Sequence, residues 1–252
     1  MDSKHEQQRH TVNRVSLFEM PLDIEVTKQD VLRRIKSGNL LLSYLNPNAY
    51  TVAKKVPNYA SNLRRFDLVV CDGIGIQVAS NAVFRTNTTI ITLDYSGIGH
   101  DYLQLCAHQK MSLCLVGAEL TTVNMAAAKI KEGYPDFRSI STFSGYGESL
   151  TKSKAFILQS APDLVLVGMG MGQQESYLLD LVDSGWSGVG ICVGGFFDKI
   201  ANPQVDYPKW TEKTKLRFLG RLIKEPRRLS KRYFIDYQPF IKMYIKHLIK
   251  GT

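Results

Sequence analysis

Five runs along the chain are almost continuously hydrophobic, and each ends in turn residues. Leu40 to Leu45 runs into Asn46-Pro47-Asn48, Phe66 to Cys71 into Asp72-Gly73, and Ser112 to Val116 into Gly117. Leu164 to Val167 runs into Gly168, and Gly188 to Val193 into Gly194-Gly195. Runs without polar alternation are the pattern of strands covered on both faces, which is the condition of a parallel sheet. Between them the apolar residues recur at helical spacing, and the pattern predicts helices over 27–37, 99–109, 121–132 and 174–183. Strand and helix therefore alternate as in βαβ units. The predicted fold is α/β: a Rossmann-like, doubly wound, mostly parallel sheet, with ligands bound outside the carboxyl ends of the strands.

The rhythm changes near Pro203 to Pro208. From Asp206 to Thr252 the chain carries 13 Lys and Arg against four Asp and Glu, an excess equal to the net charge of +9 of all 252 residues. The first 205 residues are thus close to neutral, and the expected division is a catalytic α/β domain over 1–205 and a basic helical appendage over 206–252. Within the appendage Leu216, Leu219, Leu222 and Ile223 share one helical face. Ile241, Tyr244, Ile245, Leu248 and Ile249 repeat that face, with Lys242, Lys246 and Lys250 opposite. Such a helix suits an anionic membrane surface, where each basic side chain contributes about 1 kcal/mol, or a second copy of the chain. Nucleic acid is not the expected partner, because no recognition motif accompanies the charge.

No stretch reaches the roughly 20 apolar residues that cross a bilayer, and the start MDSKHEQQRH lacks the apolar core of a signal peptide. The expected location is cytoplasmic, with peripheral membrane contact. Cys71, Cys106, Cys114 and Cys192 lie inside hydrophobic runs without a CxxC pair, and the five His show no HxxxH spacing. Neither a metal site nor a bound cofactor is expected.

The chemistry-bearing residues gather at predicted strand ends. In Asp72-Gly73-Ile74-Gly75 a carboxylate stands at the ligand edge beside glycines that let backbone amides approach an anion. From spacing alone it reads first as an ordinary Asp-Gly turn or a helix cap, and it also fits a general base. Gly168-Met169-Gly170-Met171-Gly172-Gln173-Gln174-Glu175 lacks the third glycine of the dinucleotide fingerprint, which weakens an oxidoreductase reading, yet a glycine loop ahead of a helix still suits a diphosphate. Gly194-Gly195-Phe196-Phe197-Asp198 repeats that logic, and Asn46 is either a sugar or phosphate ligand or a turn residue.

In this order the motifs resemble the WecG/TagA/CpsF glycosyltransferases, glycosyltransferase family 26, from about Leu40 to Tyr233. The matching segments are Asn46-Pro47, Asp72-Gly73-Ile74-Gly75, Gly99-His100-Asp101, Gly168 to Glu175, Gly194 to Asp198, and a closing pattern through Arg221-Leu222, Glu225-Pro226, Arg228 and Arg232-Tyr233. Three differences stand out. Gly172 takes the place of a proline, Asp206-Tyr207-Pro208 that of Arg-Ala-Pro, and Leu216-Arg217-Phe218 that of Leu-Glu-Trp.

The resemblance implies an inverting transfer of a hexose or N-acetylhexosamine, of N-acetylmannosamine type or glucose, from a UDP-sugar. The implied acceptor is a sugar on undecaprenyl diphosphate at the inner face of the bacterial cell membrane, in cell-surface polysaccharide synthesis. It assigns Asp72 as general base with Asn46 assisting, and Gln174 and Glu175 as facing the nucleotide sugar. Gly73, Gly75, Asp101, Gly168, Gly170, Gly194, Gly195 and Asp198 fall in its substrate-binding motifs, and Arg221, Arg228 and Arg232 in an appendage contacting diphosphate.

Overall fold

The computed structural model describes residues 13–95, 97–202 and 235–250, the side chain at 250 excepted. The expected boundary near residue 205 and the arginines at 221, 228 and 232 lie outside the described residues. The chain opens with an antiparallel hairpin, β1 (Asn13–Leu17) and β2 (Met20–Ile24), which the sequence reading did not predict. Then follow α1 (Lys28–Ser37), β3 (Leu40–Leu45), α2 (Ala49–Lys55), α3 (Tyr59–Arg64), β4 (Leu68–Cys71) and α4 (Ile74–Phe84). The middle of the chain forms α5 (Gly99–His108), β5 (Ser112–Gly117), α6 (Leu120–Gly133), β6 (Ser139–Phe143) and α7 (Gly147–Ser160). The last described elements are β7 (Leu164–Gly168), α8 (Gln173–Asp183), β8 (Val189–Cys192), α9 (Phe196–Ala201) and α10 (Gln238–Lys250).

Strands β3 to β8 form one six-stranded sheet in the order β4-β3-β8-β7-β5-β6, parallel throughout. The continuous apolar runs are explained by this burial. Leu40, Leu42, Leu113, Leu115, Leu164, Leu166, Val189 and Ile191 feed one core layer under α1, α5, α6 and α9. Their neighbours Leu41, Leu45, Cys114, Val116, Val165, Val167 and Cys192 feed the other, under α2, α3, α4, α7 and α8. The doubly wound reading holds. Strand β6 escaped the sequence reading because Ser139-Ile-Ser-Thr-Phe143 sits at the sheet edge, only partly covered, and so carries no apolar run.

Local signals fix the ends of some elements. Helix α1 starts at a capping box in which the Asp30 amide donates to Thr27 Oγ1 at 3.2 Å and the Thr27 amide donates to Asp30 Oδ2 at 3.0 Å, worth about 1 kcal/mol. The opposite sheet edge is closed by an ion pair. Asp23 of β2, 1% exposed, receives Arg14 Nε at 2.7 Å and Nη2 at 2.6 Å, and its Oδ2 also accepts the Val69 amide of β4 at 2.7 Å. Arg14 Nη1 reaches back to the Phe66 carbonyl at 2.8 Å. An edge amide of β4 that would otherwise template another strand is thereby occupied.

Helix α10 docks on this same side. Phe240, 5% exposed, meets Tyr50 of α2 at 5.2 Å between ring centroids, and Phe18, in the hairpin turn, lies 6.3 Å from Phe240 and 6.4 Å from Tyr244. Thr51 donates to the Asp236 carbonyl. Burial of Phe240 alone contributes about 2 kcal/mol. The apolar stripe read from the sequence is therefore split. Tyr244 turns inward with Phe240 and Met243, while Ile241, Ile245, Leu248 and Ile249 remain exposed.

Arg14 is exposed and Asp23 is buried, so removing the carboxylate leaves the guanidinium to water but the buried Val69 amide without its acceptor. Asp23→Ala is expected to lower unfolding free energy by about 2 kcal/mol, read from urea denaturation; a loss under about 0.5 kcal/mol would show that the hairpin is not clipped through this carboxylate.

Candidate active site

Parallel pairing sets the strand ends in one row. Leu45 pairs with Cys71, Leu42 with Ile191, Val167 with Cys192, and Gly117 with Gly168. The residues that follow, Asn46, Asp72, Gly168 to Gly172 and Gly194, consequently share the carboxyl edge. The chain leaves β3 toward β4, whereas it leaves neighbouring β8 into α9, which packs on α6. Connections that diverge from adjacent strands open a crevice between them, the place where open α/β sheets bind ligands.

Gln174 and Glu175 hold this edge together and are not presented to solvent. Both are 0% exposed. Glu175 Oε2 accepts the Gly172 amide at 2.6 Å, and its Oε1 accepts Ser43 Oγ at 3.1 Å and Gln174 Nε2 at 2.9 Å. Gln174 Oε1 accepts the Gly194 amide at 3.1 Å. Two adjacent side chains thus tie together β3, the glycine loop after β7 and the turn after β8. The expectation that both face the nucleotide sugar gives way to a different placement: their polar atoms bond to protein, and the Gly172 and Gly194 amides are already occupied. Burial pushes the Glu175 carboxyl above the usual carboxylate range, and the hydrogen bonds it accepts oppose that rise.

The other predicted residues divide. A Cβ on Gly168 would lie 2.6 Å from the Gly194 carbonyl, so that glycine serves the close approach of two strand ends. Gly170, at φ 85° with open space around it, is exposed and presents its backbone at the edge. Asn46 is 4% exposed, and its Oδ1 accepts the Asn48 amide at 3.0 Å, the turn that starts α2. Asp101 is committed to Lys28 of α1 at 2.6 Å. Gly195 and Asp198 are exposed beside one another.

Asp72 is half-buried at the end of β4, its amide donating to the Leu45 carbonyl at 2.9 Å, and α4 opens directly after Gly73 with no side-chain cap. Gly75 lies in the first turn of α4, where a Cβ would come within 3.0 Å of Pro47 Cγ and 3.5 Å of Phe240 Cε1. The carboxyl-terminal helix therefore reaches the turn that carries Asp72.

Two residues at this edge were not singled out in the sequence. Thr92 donates its hydroxyl to Asp72 Oδ1 at 3.1 Å. Tyr44 lies beside Gly194, and burial, with the Glu175 and Asp72 charges nearby, pushes its phenol well above the ordinary range, so it stays a neutral hydroxyl. For Thr92 a signal was present in the alternation Ile91-Thr92-Leu93, which follows the helix after the Asp72 motif. For Tyr44 there was none, since it sits in an apolar run. All four cysteines are buried, and burial pushes the thiols of Cys71, Cys106 and Cys114 up to about 12. Among the described residues no cluster of His, Cys, Asp and Glu is arranged to hold a metal ion.

Because the folded chain holds the Glu175 proton more tightly than the unfolded chain does, this group's contribution to stability is complete at low pH. It is lost as pH rises from about 4 through the raised folded value. Relative to wild type, Glu175→Gln is expected to gain stability as pH increases over that window, measured as urea midpoints; a difference independent of pH would mean that Glu175 does not titrate there.

The Glycosyl transferase WecG/TagA/CpsF family model matches residues 15–252. Among curated relatives, a UDP-Gal:alpha-D-GlcNAc-diphosphoundecaprenol beta-1,4-galactosyltransferase of Shigella boydii is 27% identical over 81% of this chain and 85% of its own length. An N-acetylglucosaminyldiphosphoundecaprenol N-acetyl-beta-D-mannosaminyltransferase of Bacillus subtilis is 26% identical over 74% of this chain and 72% of its own. A solved structure described as a conserved domain of unknown function 1792 with a distinct glycosyltransferase fold covers 70% of this chain and 79% of its own, at 11% identity and a TM-score of 0.40, a likeness too loose to carry an argument. With nearly the whole chain matched, the protein belongs to the WecG/TagA/CpsF family of glycosyltransferases.

Proposed function

We propose that the chain transfers a hexose or N-acetylhexosamine from a UDP-sugar, with inversion, to a sugar carried on undecaprenyl diphosphate, in the synthesis of a cell-surface polysaccharide. The observation that carries this reading is the juxtaposition at one crevice of a carboxylate, Asp72, with the glycine turns after β7 and β8. Asp72 takes the proton of the acceptor hydroxyl as its oxygen bonds to the anomeric carbon. The bond from that carbon to the diphosphate oxygen breaks, and its electron pair leaves on UDP. Backbone amides around Gly170 and Gly195, with Arg221, Arg228 and Arg232 of the appendage, are assigned to the diphosphate. The Shigella relative's name specifies galactose and the Bacillus relative's N-acetylmannosamine, each onto an N-acetylglucosamine-bearing lipid diphosphate. The proposal takes the acceptor class they share.

We assign the exposed face of α10 to the membrane that carries such an acceptor. Ile241, Ile245, Leu248 and Ile249 are exposed beside Lys242 and Lys246, while the opposite face is spent on Phe18 and Tyr50. Among the described residues no helix is long and apolar enough to cross a membrane; the assigned contact is interfacial, at the inner face of the cell membrane where the proposed acceptor is carried.

Asp72→Asn is expected to lower kcat by about 100-fold to 10,000-fold, with the folded state intact by circular dichroism. The assay follows UDP release across a panel of UDP-sugars with a synthetic polyprenyl-diphosphate acceptor. Full turnover by this variant would remove Asp72 as the base. Separately, Ile245→Glu with Ile249→Glu should abolish cosedimentation with phosphatidylglycerol vesicles while Phe240 keeps α10 docked; unchanged cosedimentation would exclude this face as the membrane contact.

A further inference from the structure

The segment after α4 returns along the carboxyl end of β4 and is pinned at several points. The Ile91 amide donates to the Cys71 carbonyl at 2.8 Å, the Ile98 amide to the Thr92 carbonyl at 2.9 Å, and Tyr102 Oη to the Leu93 carbonyl at 3.0 Å. Ile91 and Leu93 are each 3% exposed in the core layer beneath α5. Extended backbone sends successive side chains to opposite sides, so anchoring Ile91 and Leu93 inward turns Thr92 toward the sheet edge. There its hydroxyl meets Asp72 Oδ1 at 3.1 Å. Among the described residues none hydrogen-bonds Oδ2. Branching at Cβ restricts the Thr92 rotamer, and its backbone is held on both sides, so the donor is fixed before any substrate arrives.

We propose that Thr92 is a positioning residue for proton abstraction. By occupying Oδ1 it fixes the carboxylate plane and leaves Oδ2 to receive the proton of the acceptor hydroxyl. This inference rests on Asp72 being the base. Thr92 itself exchanges no proton with substrate; its hydroxyl hydrogen stays on its own oxygen while the acceptor proton passes to Oδ2. A base held in the reacting orientation lowers the barrier without changing how tightly either substrate is bound, so the effect belongs to kcat.

Thr92→Val keeps shape and branching and removes only the donor; Thr92→Ser keeps the donor. Loss of a hydrogen bond to a charged group corresponds to roughly 10-fold to 100-fold. The expected result for the full-length enzyme is a kcat at least about 10-fold lower for Thr92→Val, with both KM values within about twofold of wild type. Thr92→Ser should recover most of that loss, and in an Asp72→Asn background Thr92→Val should cost nothing further. Thr92→Val with wild-type kcat while Asp72→Asn is inactive would overturn the role of Thr92 and leave Asp72 standing. A kcat loss that Ser fails to restore, or that accompanies a lowered thermal midpoint, would equally overturn it as a structural effect. Full turnover by Asp72→Asn would instead remove the reading beneath it.

Discussion

One buried carboxylate organises the carboxyl edge of the sheet. Glu175 sits wholly out of water at the start of α8, where ionisation is costly unless donors surround it, and the surrounding donors come from three separate parts of the chain. Ser43 belongs to β3, Gly172 to the glycine loop and Gln174 to α8, and Gln174 passes the connection on to Gly194 after β8. Partial satisfaction of such a network is worse than none, so the three segments are driven to one arrangement together. The geometry around Asp72 inherits that arrangement through β3, because the Leu45 carbonyl holds the Asp72 amide.

The two flanks of this edge are secured by different forces. On the β4 side the tie is electrostatic, with Arg14 and Asp23 locking the hairpin to the outer strand. Close by, the contact is apolar: α10 lays Phe240 over Tyr50 and against the Gly75 turn, which makes the far end of the chain part of the site's wall. The division of α10 follows from its composition. A helix with aromatics on one side and isoleucines on the next has more apolar surface than one partner can cover, and the uncovered part lies next to its lysines. On the function proposed above, a nucleotide sugar held at this sheet edge would meet an acceptor carried at a lipid surface beside the uncovered face of α10.

The candidate residues at the edge fall into those that meet solvent and those that shape it. Asp72, Gly170, Gly195 and Asp198 are at least partly exposed. Asn46, Gln174 and Glu175 are buried; Gln174 and Glu175 spend their polar atoms on the protein, and Asn46 spends its Oδ1 on the turn that starts α2. A motif read as a string assigns one kind of role to all of its members. The fold separates a motif's apparent ligands from their supports, as Gly168 and Gly170 show within three residues of each other.

The sequence by itself determined the parallel sheet, because strands buried on both faces must be apolar at every position, and it located the chemistry at the strand ends, because glycines and acids follow each run. It also disclosed the charged carboxyl-terminal segment and the family. It was silent on the hairpin and on β6, whose partly polar strands carry no such run. Only the tertiary structure decided that Glu175 points into the protein, that Thr92 meets Asp72, and which face of α10 is covered. Each of these depends on residues far apart in the chain, such as Ser43 with Glu175 or Phe18 with Phe240, and a one-dimensional pattern records the character of a side chain but not the partner that folding brings to it.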